Sequence, residues 1–485
     1  MSRSQGVFRC CRPILPLIVR KAASFWSVRV SEANQSYVKR PRQSRVGEVH
    51  MYKKNQFRVA ATLAVAALAA VALRAEATHP QPSAEVIIEW NQLLQQNAAG
   101  PPFAVARTYA ITHIAMADAV AAIRGPWAPY HARIWAPHGA SAEAAAAQAA
   151  HDVLQMLAAG GASSYTTALQ NRLATIPPGP RRLGVEVGKR AARAILDWRS
   201  TDGFDTANPQ PPAFLASTLP GIWRQTTAGA AGAAQFSELG SVVPFGLLTS
   251  TQFLPIVFPQ LESAEYATDF NEVKSKGQST STTRTPEETR FAQLFASAGP
   301  FVNVTNPFRL WSNAARDIAA DKGYGLAATA RLYALLTASI FDSVQTSQAS
   351  KFVFRLWRPV TAVVEAASDN NDATEAEAGW TPLLGTPPYP SHASNMQCIG
   401  AGAAKMLANV FGSDAQSFTA TWYLADGTVL HAEPYESLWQ MALDEGDSRV
   451  WGGIHFRFEL TASQVSCSQV ADYLFDNYML PRHHR

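Results

Sequence analysis

From residue 83 to residue 474 apolar positions recur at spacings of three and four, and the pattern predicts one helix after another. The windows are 83–96, 103–123, 142–157, 182–198, 286–298, 326–344, 396–411, 435–445 and 461–474. Strict alternation of apolar and polar residues, the mark of a half-buried strand, is scarce. Capping chemistry marks several starts. Ser83 stands ahead of Glu85, and Thr285-Pro286-Glu287-Glu288 puts proline at a first helical position, where its missing N–H costs nothing. Pro- and Gly-rich connectors at 175–180, 208–221 and 379–394 are long enough to form the rim of a site. The Ala-rich tract 140–150 reads as an ordinary packed helix, since alanine is the best helix former. No solenoid-period repeat and no sharp boundary divides the body. The expectation is an all-α fold of two bundle-like groups, with a site at one end of a helical bundle.

The first 77 residues follow another pattern. They hold 14 Lys+Arg against 3 Asp+Glu, so the formal charge of +4 for all 485 residues becomes −7 for the remainder. From Met51 a basic stretch with Lys53, Lys54 and Arg58 precedes an apolar run over 59–73 and then Ala75-Glu76-Ala77. That order is a secretory signal pattern, and its apolar run is shorter than the ~20 residues a membrane span needs. The chain therefore divides into an upstream segment without assigned fold (1–50), a signal peptide (51–77) and a body (78–485), with the mature protein expected to be secreted or periplasmic. A negative body without basic runs argues against nucleic acid as a partner, and no run of eighteen apolar residues in it predicts a stable membrane span. Cys398 and Cys467 remain after cleavage. An oxidising compartment permits them to pair, but their separation in sequence says nothing about geometry. His113, His131, His138 and His151 have no Cys or carboxylate partners at metal-ligand spacing and read as packed or surface residues.

Three segments carry candidate chemistry. Lys351 and Arg358 are seven residues apart, and Pro359 pushes Arg358 out of the α region to a junction where the next helix begins, a favourable place for an anion. In isolation the pair is an ordinary solvated face. The loop Thr386-Pro387-Pro388-Tyr389-Pro390-Ser391-His392-Ala393-Ser394-Asn395-Met396 then leads into an apolar helix, with Ser394 placed as its N-cap or as a hydroxyl facing an oxyanion. Last, Arg449 and His455 are separated by Gly452-Gly453, which allows a tight path bringing imidazole beside guanidinium. A histidine among fixed cations is pressed towards its neutral form and keeps a lone pair for phosphorus or vanadium. Asp447 or Asp342 could hold an arginine in orientation.

Taken in order, Lys-x6-Arg-Pro, a Pro-rich loop ending in Ser before a helix, and Ser-Arg-x5-His resemble the signature shared by vanadium-dependent haloperoxidases and the type 2 phosphatidic acid phosphatase (PAP2) superfamily. Trp357-Arg358-Pro359-Val360-Thr361-Ala362, Gly379-Trp380-Thr381-Pro382-Leu383-Leu384 and Gly453-Ile454-His455-Phe456-Arg457-Phe458 resemble the soluble, exported bacterial haloperoxidase-like branch. So do stretches around His113 and Asp118 and around Tyr266 and Asn271, which extends the resemblance over about 83–480. It implies a helical-bundle fold with the site built from 351–458. Lys351, Arg358 and Arg449 would clamp the oxyanion, Ser394 and the Asn395 N–H would donate to it, and His455 would be the axial ligand of vanadate or the nucleophile of a phosphatase. Phosphate would compete for the same place. The family's middle motif ends Ser-Gly-His, whereas this chain reads Ser394-Asn395-Met396, and methionine cannot move a proton. A second register uses Ser391-His392 at the cost of a gap, and leaves open that His392 replaces the missing acid–base group. The activity implied is vanadate-dependent oxidation of halide or organic sulfide by hydrogen peroxide, weakened by Met396. The alternatives are an exported acid phosphatase working through phospho-His455 and an anion-binding protein with impaired catalysis.

Overall fold

One long helix is surrounded on every side. In the computed structural model, which describes residues 83–205, 212–226, 234–296 and 306–482, this helix runs over Leu326–Phe354. Pro80–Arg485 form one compact unit; the upstream segment and the signal pattern lie outside the described residues. In chain order the α-helices of six or more residues among the described residues are α1 (Glu85–Asn97), α2 (Pro102–Ile123), α3 (Ala142–Leu157), α4 (Ala162–Ala174), α5 (Pro178–Arg199), α6 (Ala264–Gly277), α7 (Pro286–Ala296), α8 (Pro307–Asp321), α9 (Leu326–Phe354), α10 (Pro359–Val364), α11 (Asn395–Phe411), α12 (Leu438–Trp451) and α13 (Arg457–Asn477). Helices α2, α3 and α5 pack together and α2 lies along α9. On the other side α11 packs against α9, α12 and α13. The two groups share α9, and no helix among the described residues is long and apolar enough to cross a membrane.

The all-α expectation holds, with differences that have local causes. Helix α9 continues ten residues past the predicted 326–344 window. Its apolar periodicity stops in Gln345-Thr346-Ser347-Gln348-Ala349-Ser350-Lys351, yet all seven are buried; the side chains of Gln345, Ser347, Gln348, Ser350 and Lys351 hydrogen-bond to loop backbone in place of water. Helices α4, α6 and α8 were not predicted; α8 nevertheless carries a start signal, Asn306 accepting the Arg309 N–H at 3.0 Å with Pro307 behind it. The window 435–445 begins too early. Tyr435 ends an antiparallel hairpin of β1 (Phe418–Tyr423) and β2 (Val429–Tyr435), and α12 starts at Leu438. Phe418, Ala420 and Trp422 are buried in alternation on β1, a period-two signal that the helical reading passed over.

Two tethers hold the functional end. Cys398 and Cys467 form a disulfide between α11 and α13, with Cα atoms 5.4 Å apart at a sequence separation of 69. A crosslink of that span contributes about 4 kcal/mol through the unfolded chain. After α12 the backbone turns through Gly452 and then Gly453, which has φ +76° and lies directly against the Gly277 backbone at the end of α6. A Cβ at Gly453 would collide with the Gly277 carbonyl and come within 2.8 Å of Pro382 Cβ. Gly453→Ala is therefore expected to cost about 3 kcal/mol, combining left-handed strain with a backbone clash. Gly379→Ala, at φ +86° with open space around it, should cost only about 1 kcal/mol. Urea unfolding midpoints of the two variants test this; equal losses would mean that the contact with Gly277 does not matter.

Candidate oxyanion site

Four chain segments converge where the helices end. Lys351 lies in the last turn of α9, which stops at Phe354 with Arg355 in the left-handed region. Arg358 is the N-cap of α10 at φ −87°, ψ 155°, the extended conformation that a following proline imposes. Ser394 is the N-cap of α11 and accepts from the Gln397 N–H at 3.4 Å. Arg449 sits in the last turn of α12, and the Gly452-Gly453 turn delivers His455 to the start of α13.

Arg358 and His455 meet directly. Arg358 Nη1 is 3.1 Å from His455 Nε2 and donates to the Ile454 carbonyl at 2.8 Å, while Nε donates to the Tyr389 carbonyl at 2.9 Å. Its Nη2 is buried without a partner among the described residues. Lys351 Nζ donates to the carbonyls of Ser391, at 2.7 Å, and Ala393. Arg449 Nε donates to Ser448 Oγ at 2.9 Å, and one Nη reaches the Ala292 carbonyl at 3.3 Å. Tyr389 stands among these cations. Lys351 Nζ lies 5.4 Å and Arg358 Cζ 5.1 Å from its ring centre, and its hydroxyl bonds to the Asn395 side chain.

Glu459, in the first turn of α13, sets the state of His455. Its carboxylate accepts from His455 Nδ1 at 3.0 Å, from Ser391 Oγ at 2.7 Å and from the Phe456 N–H at 2.9 Å. Burial opposes its charge, but His455 first, and His392 and Lys351 after it, outweigh burial and hold Glu459 below the ordinary carboxylate range. The proton of neutral His455 is thereby fixed on Nδ1, leaving a lone pair on Nε2. Burial first, and Arg358 and Lys351 after it, bring the His455 pKa down to about 3 despite Glu459. Lys351 is pushed well down by burial and Arg358, and Arg449 falls to about 10 through burial. The other buried acid nearby, Glu445, is pushed up to about 8 by burial while it accepts the Trp311 N–H at 2.8 Å, so it is mostly protonated at neutral pH. Two buried guanidiniums and a buried amine whose charge is disfavoured thus stand beside one ionised carboxylate among the described residues. Such an imbalance is costly until an anion enters.

His455, Arg449, Tyr389, Asn395 and Met396 line one end of a cavity of about 530 Å³. Phe103, Phe236, Phe295, Phe308 and Ile399 are among the residues forming its other walls.

Residues 331–483 match the family model described as the VCPO second helical-bundle domain. The C-terminal bundle is homologous to that of the vanadium-dependent haloperoxidases. Among solved structures, a bacterial vanadium-dependent iodoperoxidase is similar with a TM-score of 0.65 at 21% identity, over 82% of this chain and 97% of that one. A bacterial vanadium-dependent chloroperoxidase in its holo form is similar with a TM-score of 0.61 at 16% identity, over 78% and 93%. At these identities the structures establish a common fold. No curated protein sequence matches the chain.

Against the haloperoxidase signature, the structure unites some candidate residues and separates others. Arg358, Arg449 and His455 come together with Asn395 at or beside the cavity, and Lys351 adjoins them through Tyr389. Ser394 does not line the cavity: its hydroxyl caps α11 and its N–H donates to Ser463 Oγ at 3.0 Å. Met396 is at the cavity wall, whereas His392 is turned away, with Nε2 2.8 Å from the Ile256 carbonyl and its ring against Phe258 and Phe354. His392 is therefore in no position to replace the missing acid–base group. Neither aspartate orients an arginine of the site. Asp447 pairs with Arg457, and Asp342 accepts the N–H groups of Phe245, Gly246 and Leu247 at 2.7, 2.7 and 3.1 Å. Of the other histidines, His113 is buried against Asn91 and Tyr333, His131 stacks on Trp198, and His151 pairs with Asp152. Glu459 and Tyr389 are the residues that sequence reasoning missed. The signal for the first was its place four residues after His455, in the first turn of the helix that His455 precedes.

Two measurements follow from this electrostatic arrangement. Nitrogen-15 NMR of His455 should show a neutral imidazole protonated at Nδ1 from pH 8 down to about pH 5, because its folded pKa lies far below that of a free histidine; titration near pH 6.5 would contradict the burial argument. Sulfate does not itself titrate in this range, so its affinity should fall as pH rises through the lowered pKa of Lys351, since the anion favours the charged amine. Lys351→Met should flatten that dependence, and an unchanged slope would assign it to another group.

Proposed function

We propose that the protein is a vanadate-dependent peroxidase that oxidises halide or an organic sulfide with hydrogen peroxide. The observation that carries this reading is the cluster of Lys351, Arg358 and Arg449 buried beside the ionised carboxylate of Glu459, with Arg358 Nη2 lacking a partner among the described residues and the Nε2 lone pair of His455 beside it. Those groups fit a tetrahedral oxyanion of two or more negative charges. Arg358, Arg449 and Lys351 would balance its charge, Asn395 would border it, and His455 Nε2 would coordinate it. When bound, vanadate supplies a Lewis-acidic centre that activates peroxide without a change of oxidation state.

The remaining roles belong to the chain. Glu459 keeps the His455 proton on Nδ1, so that Nε2 can coordinate. Arg358 Nη1 and the ligand compete for that lone pair, and the unpartnered Nη2 is available to an oxyanion oxygen. Met396 cannot exchange a proton. The Tyr389 hydroxyl is the dissociable group at the cavity end; its pKa is raised by burial, so it retains its proton and serves as a weak donor. General acid–base catalysis typically contributes ~10²–10⁴-fold, so turnover without a histidine should be slow and favour iodide, bromide or sulfide over chloride. Export to an oxidising compartment accords with the Cys398–Cys467 bridge and the signal pattern upstream.

The Nε2 lone pair of His455 also suits an exported phosphatase, and Met396 suits an oxyanion-binding protein without turnover. Vanadate-reconstituted protein should oxidise iodide or bromide in the presence of peroxide. His455→Ala should abolish this activity, and Tyr389→Phe should lower it by roughly tenfold or more. Aryl-phosphate hydrolysis that needs His455, without halide or sulfide oxidation, would replace the peroxidase reading. Tight phosphate binding with neither activity would leave a binding protein.

A further inference from the structure

The six methionines of the described residues lie in very different surroundings. Met116, Met406 and Met441 are fully buried, Met479 is 3% exposed, and Met156 on α3 is 72% exposed to solvent. Of the six, only Met396 lines the cavity. It is half-buried there, at the end that also holds His455, Arg449, Tyr389 and Asn395. A thioether is soft and polarizable, and two-electron oxidants convert it to a sulfoxide. No free thiol nearby competes for the oxidant, because Cys398 and Cys467 are joined to each other. Where the haloperoxidase signature has a histidine that moves protons, this chain therefore presents a group that peroxide can oxidise. Gly100, Pro102 and Gly385 are exposed lining residues, so peroxide reaches the cavity from solvent.

We propose that Met396 is a site of oxidative self-modification: peroxide activated beside His455 converts its thioether to the sulfoxide, and this limits the number of turnovers. The proposal rests on the peroxidase reading. In the step, a lone pair of the Met396 sulfur attacks one peroxide oxygen. The sulfur–oxygen bond forms and the O–O bond breaks. Sulfur is oxidised by two electrons, peroxide is reduced, and its second oxygen leaves as water with both protons. The product is polar and its oxygen accepts hydrogen bonds. Among the described residues no acid lines the cavity, and the donors at this end include the Arg449 guanidinium and the Tyr389 hydroxyl. The sulfoxide oxygen thus draws on the donors that an oxyanion needs, and the site loses its hold on the anion. Halide competes for the oxidant, so modification is fastest once halide is exhausted. Met396 is also held in place, since it lies in the first turn of α11 just before the bridge to α13. A sulfur fixed in this way meets the oxidant from one side and gives one sulfoxide epimer, whereas an oxidant arriving from solution gives both.

Peptide mass spectrometry of the folded protein, treated with peroxide in the absence of halide, reads the modification at each methionine. Exposed Met156 reports oxidation from solution. Vanadate should accelerate oxidation of Met396 relative to Met156 by about tenfold or more, because sulfur and oxidant are then held together. Excess phosphate, which competes for the oxyanion site, should remove the acceleration, and so should His455→Ala. Stereospecific methionine sulfoxide reductases applied to the Met396 peptide should find one epimer in excess. In peroxide turnover the wild type should lose activity as the sulfoxide accumulates, whereas Met396→Leu, which nearly conserves volume, should hold whatever initial rate it has. An enzyme that oxidises iodide but shows no vanadate-dependent oxidation of Met396 overturns the modification and leaves the peroxidase reading standing. Absence of both activities overturns both. Equal amounts of the two epimers overturn oxidation in place, and equal decay of wild type and Met396→Leu overturns the limit on turnover.

Discussion

The functional end of this protein depends on a row of polar side chains buried in the second half of its central helix. From Asp342 to Lys351, α9 is covered on all sides yet carries carboxylate, amide, hydroxyl and amine groups. Each of the principal ones satisfies backbone that would otherwise be orphaned. Asp342 takes three N–H groups of 245–247, Gln345 and Gln348 donate to carbonyls at 239–242 and 235–236, and Ser350 and Lys351 hold both faces of the 391–393 loop. An unmade hydrogen bond in such surroundings costs about 1–3 kcal/mol. The loops are therefore locked to the helix more firmly than apolar packing alone would achieve, and irregular backbone can stand next to a cluster of buried charges.

The same constraint explains why Lys351 has a double character. Its amine secures the 391–393 loop through two carbonyls while lying 5.4 Å from the Tyr389 ring centre. It is structural in the absence of an anion and electrostatic in its presence. Arg358 is comparable: two of its nitrogens hold the Tyr389 and Ile454 carbonyls, and the third is left over. The arginine is oriented by backbone, so the site needs no acidic partner for it, and the cluster retains its positive excess.

The sequence made visible those residues whose role follows from local chain geometry. Arg358 before Pro359, Ser394 at a helix start and the glycine pair before His455 each occupy the conformation expected of them. What stayed hidden arises from contacts across the chain. The polar row of α9 breaks the apolar rhythm by which a helix is recognised, so the window ended at 344. Tyr389 belongs to a proline-rich loop, and only the folded chain places its ring between a lysine and an arginine. Glu459 resembled any first-turn acid until Ser391, 68 residues earlier, and His455 were found on its two oxygens. The hairpin was hidden for a different reason, because its alternation is short and lies between strong helical signals.

The bridge between Cys398 and Cys467 bears on how the two site-bearing helices can move. Cys398 lies in the first turn of α11, just after Asn395 and Met396, and Cys467 lies ten residues into α13, beyond His455 and Glu459. A covalent link there prevents α11 from rotating about its own axis or sliding past its neighbour. Asn395 and Met396 therefore meet the cavity in a single rotational register. The wall they form is held in place by the bridge, and a guest must fit that wall as it stands.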